Sequence, residues 1–269
     1  MATKLRLDAE LVRRGLARSR EHARALVDAG QVRVGGIVAT KPATGVDATA
    51  SVVVTADEET DYVSRGAQKL TGALDALNGP AVAGRRCLDA GASTGGFTDV
   101  LLRRGAREVV AVDVGYGQLA WRLRIDSRVT VHERTNVRTL TPDSVGGLVD
   151  VVVADLSFIS LTLVLPALAA CTANDGDLLL MVKPQFEVGR EAVGRGGVVR
   201  EPELREHAVV SVANAASALG LATHGVTASP LPGPAGNVEY FLWLVPDATR
   251  ASNGVDRTAV ARAVAEGPQ

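Results

Sequence analysis

From about residue 62 onward, short apolar runs alternate with segments of helical periodicity. Seven runs have the composition of strands: RRCLDAG, EVVAVDV, RVTVHER, VDVVVADLS, GDLLLMVKP, LATHGVTASP and EYFLWLV. Helical patterns such as GFTDVLLRRG, LTLVLPALAAC and LREHAVVSVANAASALG fall between them. Near-continuous apolar strands separated by helices predict an α/β fold, with a mostly parallel sheet and helices on both faces. The last runs lie close together in the chain, which predicts an antiparallel edge.

The N-terminal segment has a different pattern. LDAELVRRGLARSREHARALVDAG predicts two short helices with Asp8 and Ser19 as N-caps. QVRVGGIVAT predicts a hairpin that turns at Gly35 and Gly36, and SVVVTA adds a strand. We therefore expect a small α+β domain over 1–60, the main domain over 61–247 and a C-terminal tail over 248–269 that includes a weak surface helix.

Charge is unevenly distributed along a chain whose net charge is −1. Residues 1–46 contain nine lysines and arginines against four acids. Such a local basic excess is typical of a surface that binds phosphate.

Composition excludes several classes of protein. No apolar run approaches the roughly 18 residues that span a bilayer, and the N-terminus lacks the apolar stretch of a signal peptide. We expect a soluble, cytoplasmic protein that needs no membrane. Two cysteines (Cys87 and Cys171) and four scattered histidines have neither disulfide-framework nor metal-ligand spacing, so no metal is expected.

Lysine is scarce, since only four of the 29 basic residues are lysines. Lysine can give up its proton in a protein whereas arginine cannot, so a chain that reserves lysine for a few places indicates amine chemistry there. Lys183 ends the apolar run LLLMVK, and Lys69 lies in SRGAQKL. A GC-rich genome also explains the ratio, but not a lysine at the end of a buried strand.

The segment RRCLDAGASTGGFTDVLLRRG predicts a strand, a glycine-bearing loop and a helix. Its spacing G-x-x-x-G-G matches neither the dinucleotide fingerprint nor the phosphate-binding P-loop. Asp89 and Asp113 end neighbouring strands, where a carboxylate can accept hydrogen bonds from ribose hydroxyls. The loop alone is equally compatible with a tight turn. Together with Asp113 it favours a nucleoside cofactor, with S-adenosylmethionine as the leading candidate.

Six motifs in this order resemble the TlyA (haemolysin A-like) ribosomal RNA methyltransferases: DAGASTGGFTDVLL, DVGYGQLAWRLR, ERTN, ADLSFISL, VKPQFEVG and PLPGPAGNVEYFLWL. The catalytic domain of that family is related to the FtsJ-type 2′-O-methyltransferases and has a Rossmann-like class I methyltransferase fold. The basic N-terminal segment resembles the S-four-type RNA-binding module of ribosomal proteins. The resemblance implies methyl transfer from S-adenosylmethionine to the 2′-hydroxyl of cytidine in 16S or 23S rRNA, and an effect on sensitivity to peptide antibiotics.

The resemblance also implies a set of functional residues. A catalytic Lys-Asp-Lys-Glu tetrad falls on Lys69, Asp155, Lys183 and Glu239. The cofactor is expected to contact Asp89, Gly91, Ser93, Thr94, Gly95, Gly96, Phe97, Asp113, Val114, Asn136 and Asp155. Ribosomal RNA, free or in a subunit, is expected to contact Lys4, Arg6, Arg18, Arg20, Arg33, Lys41 and Phe158. The loop departs from the commoner G-x-G-x-G of methyltransferases by having Ser93 at its middle position.

Our hypothesis assigns roles within the tetrad. Lys183 contacts the 2′-oxygen as base or oxyanion stabiliser, Asp155 orients Lys183, and Lys69 with Glu239 adjusts charge and holds the ribose. Taken singly, these residues also fit a strand cap, a solvated helix residue and a surface strand residue. Phe158 is the preferred base-stacking aromatic. The loop 189–203 is interpreted as a lid, an RNA contact or a disordered connection.

Two other classes of function are kept as alternatives. A non-catalytic RNA-binding protein would retain the fold without turnover, which an intact tetrad argues against. A cytolysin, as the family's historical name suggests, needs an apolar or amphipathic membrane segment that the sequence lacks.

Overall fold

The computed structural model describes residues 5–17, 19–28, 30–47, 49–54, 62–246 and 255–268. The chain divides into two compact units, Met1–Asp61 and Tyr62–Gln269. Each unit buries its own apolar core.

The N-terminal unit consists of two short helices and small antiparallel sheets. In chain order its elements are β1 Leu5–Arg6, α1 Leu7–Arg13, α2 Arg20–Asp28, β2 Val32–Val34, β3 Ile37–Val38, β4 Gly45–Val46 and β5 Val52–Val54. β1 pairs with β4, and β2 lies between β3 and β5. The predicted hairpin is confirmed, since Gly35 and Gly36 both have positive φ between β2 and β3, as a two-residue primed turn requires.

One of the two predicted helix caps is present. The Ser19 hydroxyl accepts a hydrogen bond from the backbone N–H of His22 at 3.1 Å, which confirms it as the cap of α2. The prediction for Asp8 is wrong, because α1 begins at Leu7 and places Asp8 inside its first turn. The Asp8 carboxylate is fully buried and accepts hydrogen bonds from arginines instead.

The second unit is built on a twisted, mostly parallel sheet. In chain order its elements are α3 Gly66–Leu77, β6 Arg86–Ala90, α4 Gly96–Arg103, β7 Glu108–Val112, α5 Trp121–Arg124, β8 Val129–His132, β9 Val149–Ala154, α6 Leu165–Cys171, β10 Thr172–Val182, α7 Pro184–Glu187, α8 Pro202–Ser217, β11 Ala222–Ala228, β12 Tyr240–Val245 and α9 Arg257–Glu266. The strand order is β11-β12-β10-β9-β6-β7-β8. β12 runs antiparallel to both its neighbours, which confirms the predicted antiparallel edge.

Both faces of this sheet are covered, as the sequence predicts. Residues alternate along β10, so that Leu178, Leu180 and Val182 belong to one core cluster. Leu179 and Met181 belong to the cluster on the other face. Helices α6, α8 and α9 cover the first face, and α3, α4 and α5 cover the second.

The segment 248–269, expected to be a tail, includes α9. The helix starts after Asp256, whose carboxylate accepts a hydrogen bond from the backbone N–H of Thr258 at 2.9 Å. Its residues Val260, Ala263 and Val264 are buried in the first core cluster. Within the described residues, no helix is both long and apolar enough to cross a bilayer.

Candidate active site

The carboxyl ends of the parallel strands bring the charged residues together. Asp155 directly follows β9 and Lys183 directly follows β10, and these two strands are parallel neighbours. Glu239 directly precedes β12, which is antiparallel to β10 with Val182 paired to Tyr240. The start of an antiparallel strand lies at the same sheet edge as the ends of its parallel neighbours, so all three side chains reach one place.

Lys183 and Asp155 form an ion pair at this edge. The Lys183 Nζ lies 2.5 Å from Asp155 Oδ1 and donates a hydrogen bond to the Ser157 hydroxyl at 3.0 Å. Lys183 is buried, whereas the Asp155 side chain retains a quarter of its exposure. Two acceptors on neighbouring residues therefore fix the direction of a buried ammonium group.

A second ion pair lies beside the first. Lys69, in the first half of α3, donates from Nζ to Glu239 Oε2 at 2.5 Å, and both side chains are buried. The loop before β12 fits closely around this carboxylate, since a Cβ on Gly233 would come within 2.6 Å of Glu239 Oε1. Each lysine of the predicted tetrad is thus balanced by one of its carboxylates.

Two cavities meet at this edge. The first, here called the lysine cavity, is about 350 Å³ and is lined by Lys69, Lys183 and Asp155 together with the glycine loop. The second, called the Asp113 cavity, is about 500 Å³ and is lined by Asp113 with the segments after β8 and β9. Both linings include Gly91, Ser93, Asp155 and Ser157. A long ligand can therefore occupy both cavities across these shared residues.

The glycines of the loop make room for other parts of the protein. Gly91 has φ +90°, and a Cβ there would come within 2.5 Å of the Asp155 carbonyl oxygen. A Cβ on Gly96 would collide with the Ser64 hydroxyl, and one on Gly95 would collide with the leucines of α5 and the turn before it. The sequence pattern predicts that these glycines allow close approach of a ligand, whereas the observed neighbours are protein atoms.

Ser93 and Asp113 hold the loop in place. Ser93 has φ +47°, a conformation that favours glycine and so explains why glycine is commoner at this position. Its backbone N–H donates to Asp113 Oδ2 at 2.8 Å, while Gly115 N–H donates to Asp113 Oδ1 at 2.6 Å. Each carboxylate oxygen retains a further lone pair with which Asp113 can accept hydrogen bonds from a ligand in its cavity.

Asp89 lies in the core and lines neither cavity. Its Oδ2 accepts a hydrogen bond from the Thr98 hydroxyl at 2.6 Å, whereas its buried Oδ1 has no partner. Burial raises the pKa of Asp89 to about 7, with the nearby negative charges of Asp155 and Asp113 adding to the rise against the Thr98 hydrogen bond. The sequence reasoning places this carboxylate against ribose hydroxyls, but the structure places it beneath α4.

The other predicted cofactor residues divide between the cavities. Gly91, Ser93, Thr94, Gly96, Phe97 and Asp155 line the lysine cavity. Asp113, Val114 and Asn136 line the Asp113 cavity. Gly95 lines neither and serves as the N-cap of α4 with φ +98°. Sequence reasoning missed Ser64, Arg65, Gln118 and Ser157, although all four lie within the quoted motifs SRGAQKL, DVGYGQLAWRLR and ADLS.

Phe158 projects from the loop after β9. Its side chain is 92% exposed, and its φ of +64° is strained for a non-glycine residue. The ring contacts that of Phe186 on α7 with centroids 5.4 Å apart. The loop thus presents an aromatic face at the rim of the Asp113 cavity.

Two buried carboxylates organise five arginines of the N-terminal unit, of which Arg6 and Arg20 are predicted RNA-binding residues. Asp8 forms ion pairs with Arg6, Arg20 and Arg24, and Glu10 forms ion pairs with Arg13 and Arg14. The Arg13 and Arg14 hydrogen bonds lower the pKa of Glu10 to about 2. Arg33 donates to the Gly36 carbonyl at 3.1 Å, and Lys41 is exposed. Lys4 and Arg18 lie outside the described residues.

Comparison with known proteins identifies the family. Residues 62–245 match the FtsJ-like methyltransferase family, and residues 5–52 match the S4 domain. The 16S/23S rRNA (cytidine-2′-O)-methyltransferase TlyA of Mycobacterium tuberculosis is 62% identical over the full length of both chains. The chain belongs to the TlyA family of FtsJ-like methyltransferases.

More distant members of the TlyA family agree. Hemolysin A of Brachyspira hyodysenteriae is 37% identical over 90% of this chain and 100% of its own. A solved structure from Streptococcus thermophilus, 39% identical, superposes with a TM-score of 0.73 and covers 99% of this chain and 96% of that one. The predicted Rossmann-like methyltransferase fold and the S-four-type module are therefore confirmed.

Proposed function

We propose that this protein transfers a methyl group from S-adenosylmethionine to the 2′-hydroxyl of cytidine in ribosomal RNA. The observation that carries the proposal is the ion pair between buried Lys183 and partly exposed Asp155, which lies where two cavities meet. The full-length similarity to an enzyme named for that reaction supports the choice of substrate. Because ribosomes are cytoplasmic, we place this enzyme in the cytoplasm.

The charges at the sheet edge suit a cationic nucleoside cofactor. Asp113 and Asp155 line the cavities, and both lie close enough to the buried Asp89 for their charges to interact. S-adenosylmethionine carries a sulfonium and an ammonium group, which such carboxylates attract. Asp113 and Asn136 would hold the nucleoside in one cavity, and the glycine loop would hold the amino-acid end in the other.

The chain's own residues position and activate the ribose hydroxyl. The cofactor supplies an electrophilic methyl group, whereas the hydroxyl is a poor nucleophile until its proton is removed or its developing charge is stabilised. Lys183 contacts the 2′-oxygen in this role, and Asp155 and Ser157 fix the direction of its ammonium group. Lys69 lines the lysine cavity and is neutralised by Glu239, so this pair adds no net charge to the cavity.

Recognition of RNA involves both units. Five arginines of the N-terminal unit are fixed by two buried acids, so a net positive array is ordered before phosphate binds. Phe158 stacks on the extruded target base at the rim of the Asp113 cavity, since an exposed aromatic beside the reacting ribose can replace the lost base stacking.

Substitution of Lys183 tests the function. We expect Lys183→Met to abolish 2′-O-methylation of rRNA and to leave S-adenosylmethionine affinity intact. Lys183→Arg keeps the charge but cannot accept a proton, so it separates the two roles of the residue. Methylation sites are mapped on rRNA incubated with each protein. Wild-type rates for Lys183→Arg would exclude the general-base role, and wild-type rates for Lys183→Met would exclude the proposed mechanism.

A further inference from the structure

Four of the eight large exposed hydrophobic residues described in the methyltransferase unit lie within residues 114–125. This segment contains α5, and its exposed residues are Val114, Tyr116, Trp121 and Ile125, each with 61–72% of its surface accessible. Most other aromatic side chains of the described chain are buried or partly buried, Phe158 being the main exception. Solvent-exposed aromatic residues in a soluble unit indicate a surface that contacts a partner.

The same segment is basic. Residues 114–138 contain five arginines and two acids. Three of these arginines form ion pairs, Arg122 with Asp99, Arg124 with Glu133 and Arg128 with Asp126. The positive charge outside these pairs comes from Arg134 and Arg138, which are both exposed. Arg134 lies with its guanidinium carbon 4.4 Å from the centre of the Tyr116 ring. Arg134 also has φ +53°, and a non-glycine residue retains such a conformation only where its surroundings fix it. The segment thus displays an exposed aromatic ring with an arginine stacked on it, and a second exposed arginine, Arg138, follows four residues later.

This segment is anchored to the cofactor loop. The backbone N–H of Ala120 donates to the Thr94 carbonyl at 3.1 Å, and the Ser93 hydroxyl lies 3.3 Å from Gln118 Oε1. Val114 itself lines the Asp113 cavity. The exposed aromatic residues therefore lie next to the site where the proposed reaction occurs.

We propose that Tyr116, Trp121 and Arg134 form a second RNA-contacting surface, which binds single-stranded nucleotides flanking the target. The proposal rests on the function proposed above. Positive charge and aromatic rings together fit single-stranded RNA, because phosphates are attracted to the arginines while bases stack on the rings. An apolar protein partner would not explain the arginine stacked on the exposed Tyr116 ring.

Tryptophan fluorescence provides a direct test. The chain has two tryptophans, and Trp243 is buried in β12 with its indole N–H donating to Asp177 Oδ1 at 2.9 Å. Only Trp121 is exposed enough to stack on a base. Titration of the full-length protein with a short single-stranded oligocytidylate should quench the emission, and the quench should vanish in Trp121→Phe while binding persists.

Binding measurements complete the test. Tyr116→Ala and Trp121→Ala should each weaken oligocytidylate binding by roughly 5-fold or more, as removal of one stacking ring does. Leu148→Ala is the matched control. Leu148 is also exposed, at 51%, but it precedes β9 and so lies at the amino ends of the parallel strands, away from the site at their carboxyl ends. Melting temperature and S-adenosylmethionine affinity should be unchanged in all three variants.

Three results would overturn the inference: oligocytidylate binding unaffected in both variants, weakened cofactor binding instead of RNA binding, or a wild-type dimer that Trp121→Ala dissociates in sedimentation. Failure of the proposed function gives a different pattern. A protein that binds oligocytidylate through Trp121 but methylates no rRNA would retain this surface and lose the reaction.

Discussion

At the scale of single residues, the two lysines of the site differ in surroundings although each has a carboxylate partner. Lys183 faces a partly exposed Asp155, whereas the Lys69–Glu239 pair is buried on both sides. A buried pair contributes little net stability while intact, but removal of one partner leaves an uncompensated charge.

We therefore expect Glu239→Ala to destabilise the protein by about 3–5 kcal/mol. The double variant Lys69→Met/Glu239→Leu should recover most of that loss, because no charge is left buried. Urea unfolding of the full-length protein measures both. Asp75→Ala is the control, since its pair with Arg104 at 2.6 Å is exposed and should be worth less than ~1 kcal/mol. A double variant as unstable as Glu239→Ala would contradict this account.

Asp89 predicts a pH dependence of stability. The pKa of Asp89 is about 7 in the folded protein, against 3.8 for an aspartate side chain free in solution, the value taken for the unfolded chain. Below pH 3.8 the carboxyl group is protonated in both states, so it does not change the free energy of unfolding. Between these values the unfolded chain loses its proton first, which destabilises the fold increasingly up to pH 7. Above pH 7 the ionised Asp89 lowers the free energy of unfolding by at most about 4 kcal/mol.

The comparison with Asp89→Asn isolates this effect, because asparagine does not ionise. Unfolding free energies of the two proteins, measured from pH 4 to pH 8, should diverge in favour of the variant as the pH rises. Saturating S-adenosylmethionine should reduce the difference in unfolding free energy between the two proteins, because the positive charges of the cofactor compensate the negative charge of Asp89. A constant difference across this range would show that Asp89 ionises normally in the fold.

The position of Asp89 also shows what residue patterns leave undetermined. The sequence identifies it as an acid near a strand end, but a shift of one residue reverses the face to which a strand side chain points. Asp89 belongs to the buried part of β6, and the loop that lines the cavities begins at Gly91. No local pattern distinguishes these two placements.

At the scale of elements, α7 holds the loop that carries Phe158. Glu187 accepts hydrogen bonds from the Ser160 hydroxyl at 2.5 Å and from the Leu161 backbone N–H at 2.8 Å. Phe186 contacts the Phe158 ring on the same side. Since α7 directly follows Lys183, one short helix links the reactive lysine to the proposed stacking aromatic.

This link predicts that Glu187 affects RNA binding by holding the loop that carries Phe158. Glu187→Ala should raise the KM for rRNA by ~3- to 10-fold and change kcat less, because the loop is no longer held by these two hydrogen bonds. In a Phe158→Ala background the same substitution should have almost no further effect. Glu191→Ala, which removes a nearby exposed acid, is the control. Effects of Glu187→Ala and Phe158→Ala that simply add would mean that Glu187 acts independently of the aromatic.

Element boundaries are harder to predict than element types. All seven proposed strands of the methyltransferase unit are present, because their apolar composition suits a sheet buried on both faces. β10 nevertheless begins at Thr172, within the turn-like letters TANDG, and its pairing with β9 shifts register before Asp177. Thr172 pairs with Val149, and pairing resumes at Asp177 with Val151. The turn-like letters 173–176 therefore form an irregularity inside the strand, and a single sequence does not reveal where the strand begins.

At the scale of the whole molecule, the site joins residues that are distant in sequence. Lys69 and Glu239 are 170 residues apart. Scarcity of lysine singles out Lys69, but only the resemblance to a family pairs it with Glu239. Sheet topology brings Glu239 to the end of the sheet that also carries Asp155 and Lys183. Lys69 reaches Glu239 from α3, a helix that packs on one face of that sheet.

The separate cores predict separable functions. The N-terminal core shares no residue with the two clusters of the methyltransferase unit. Removal of residues 1–61 should therefore leave the S-adenosylmethionine affinity and the melting temperature of the remaining unit nearly unchanged, while weakening rRNA binding.

The salt dependence of rRNA binding tests the arginine array, which contacts phosphate in our proposal. In the truncated protein the slope of log affinity against log salt concentration should be shallower, by about 0.7–0.9 for each phosphate group that is no longer bound. Full-length Arg33→Gln/Lys41→Gln is the matched variant, because it keeps the fold and removes two basic side chains that lie outside the Asp8 and Glu10 clusters. It should reduce the slope by less than the truncation does. An unchanged salt slope in both proteins would place the phosphate-binding residues in the methyltransferase unit alone.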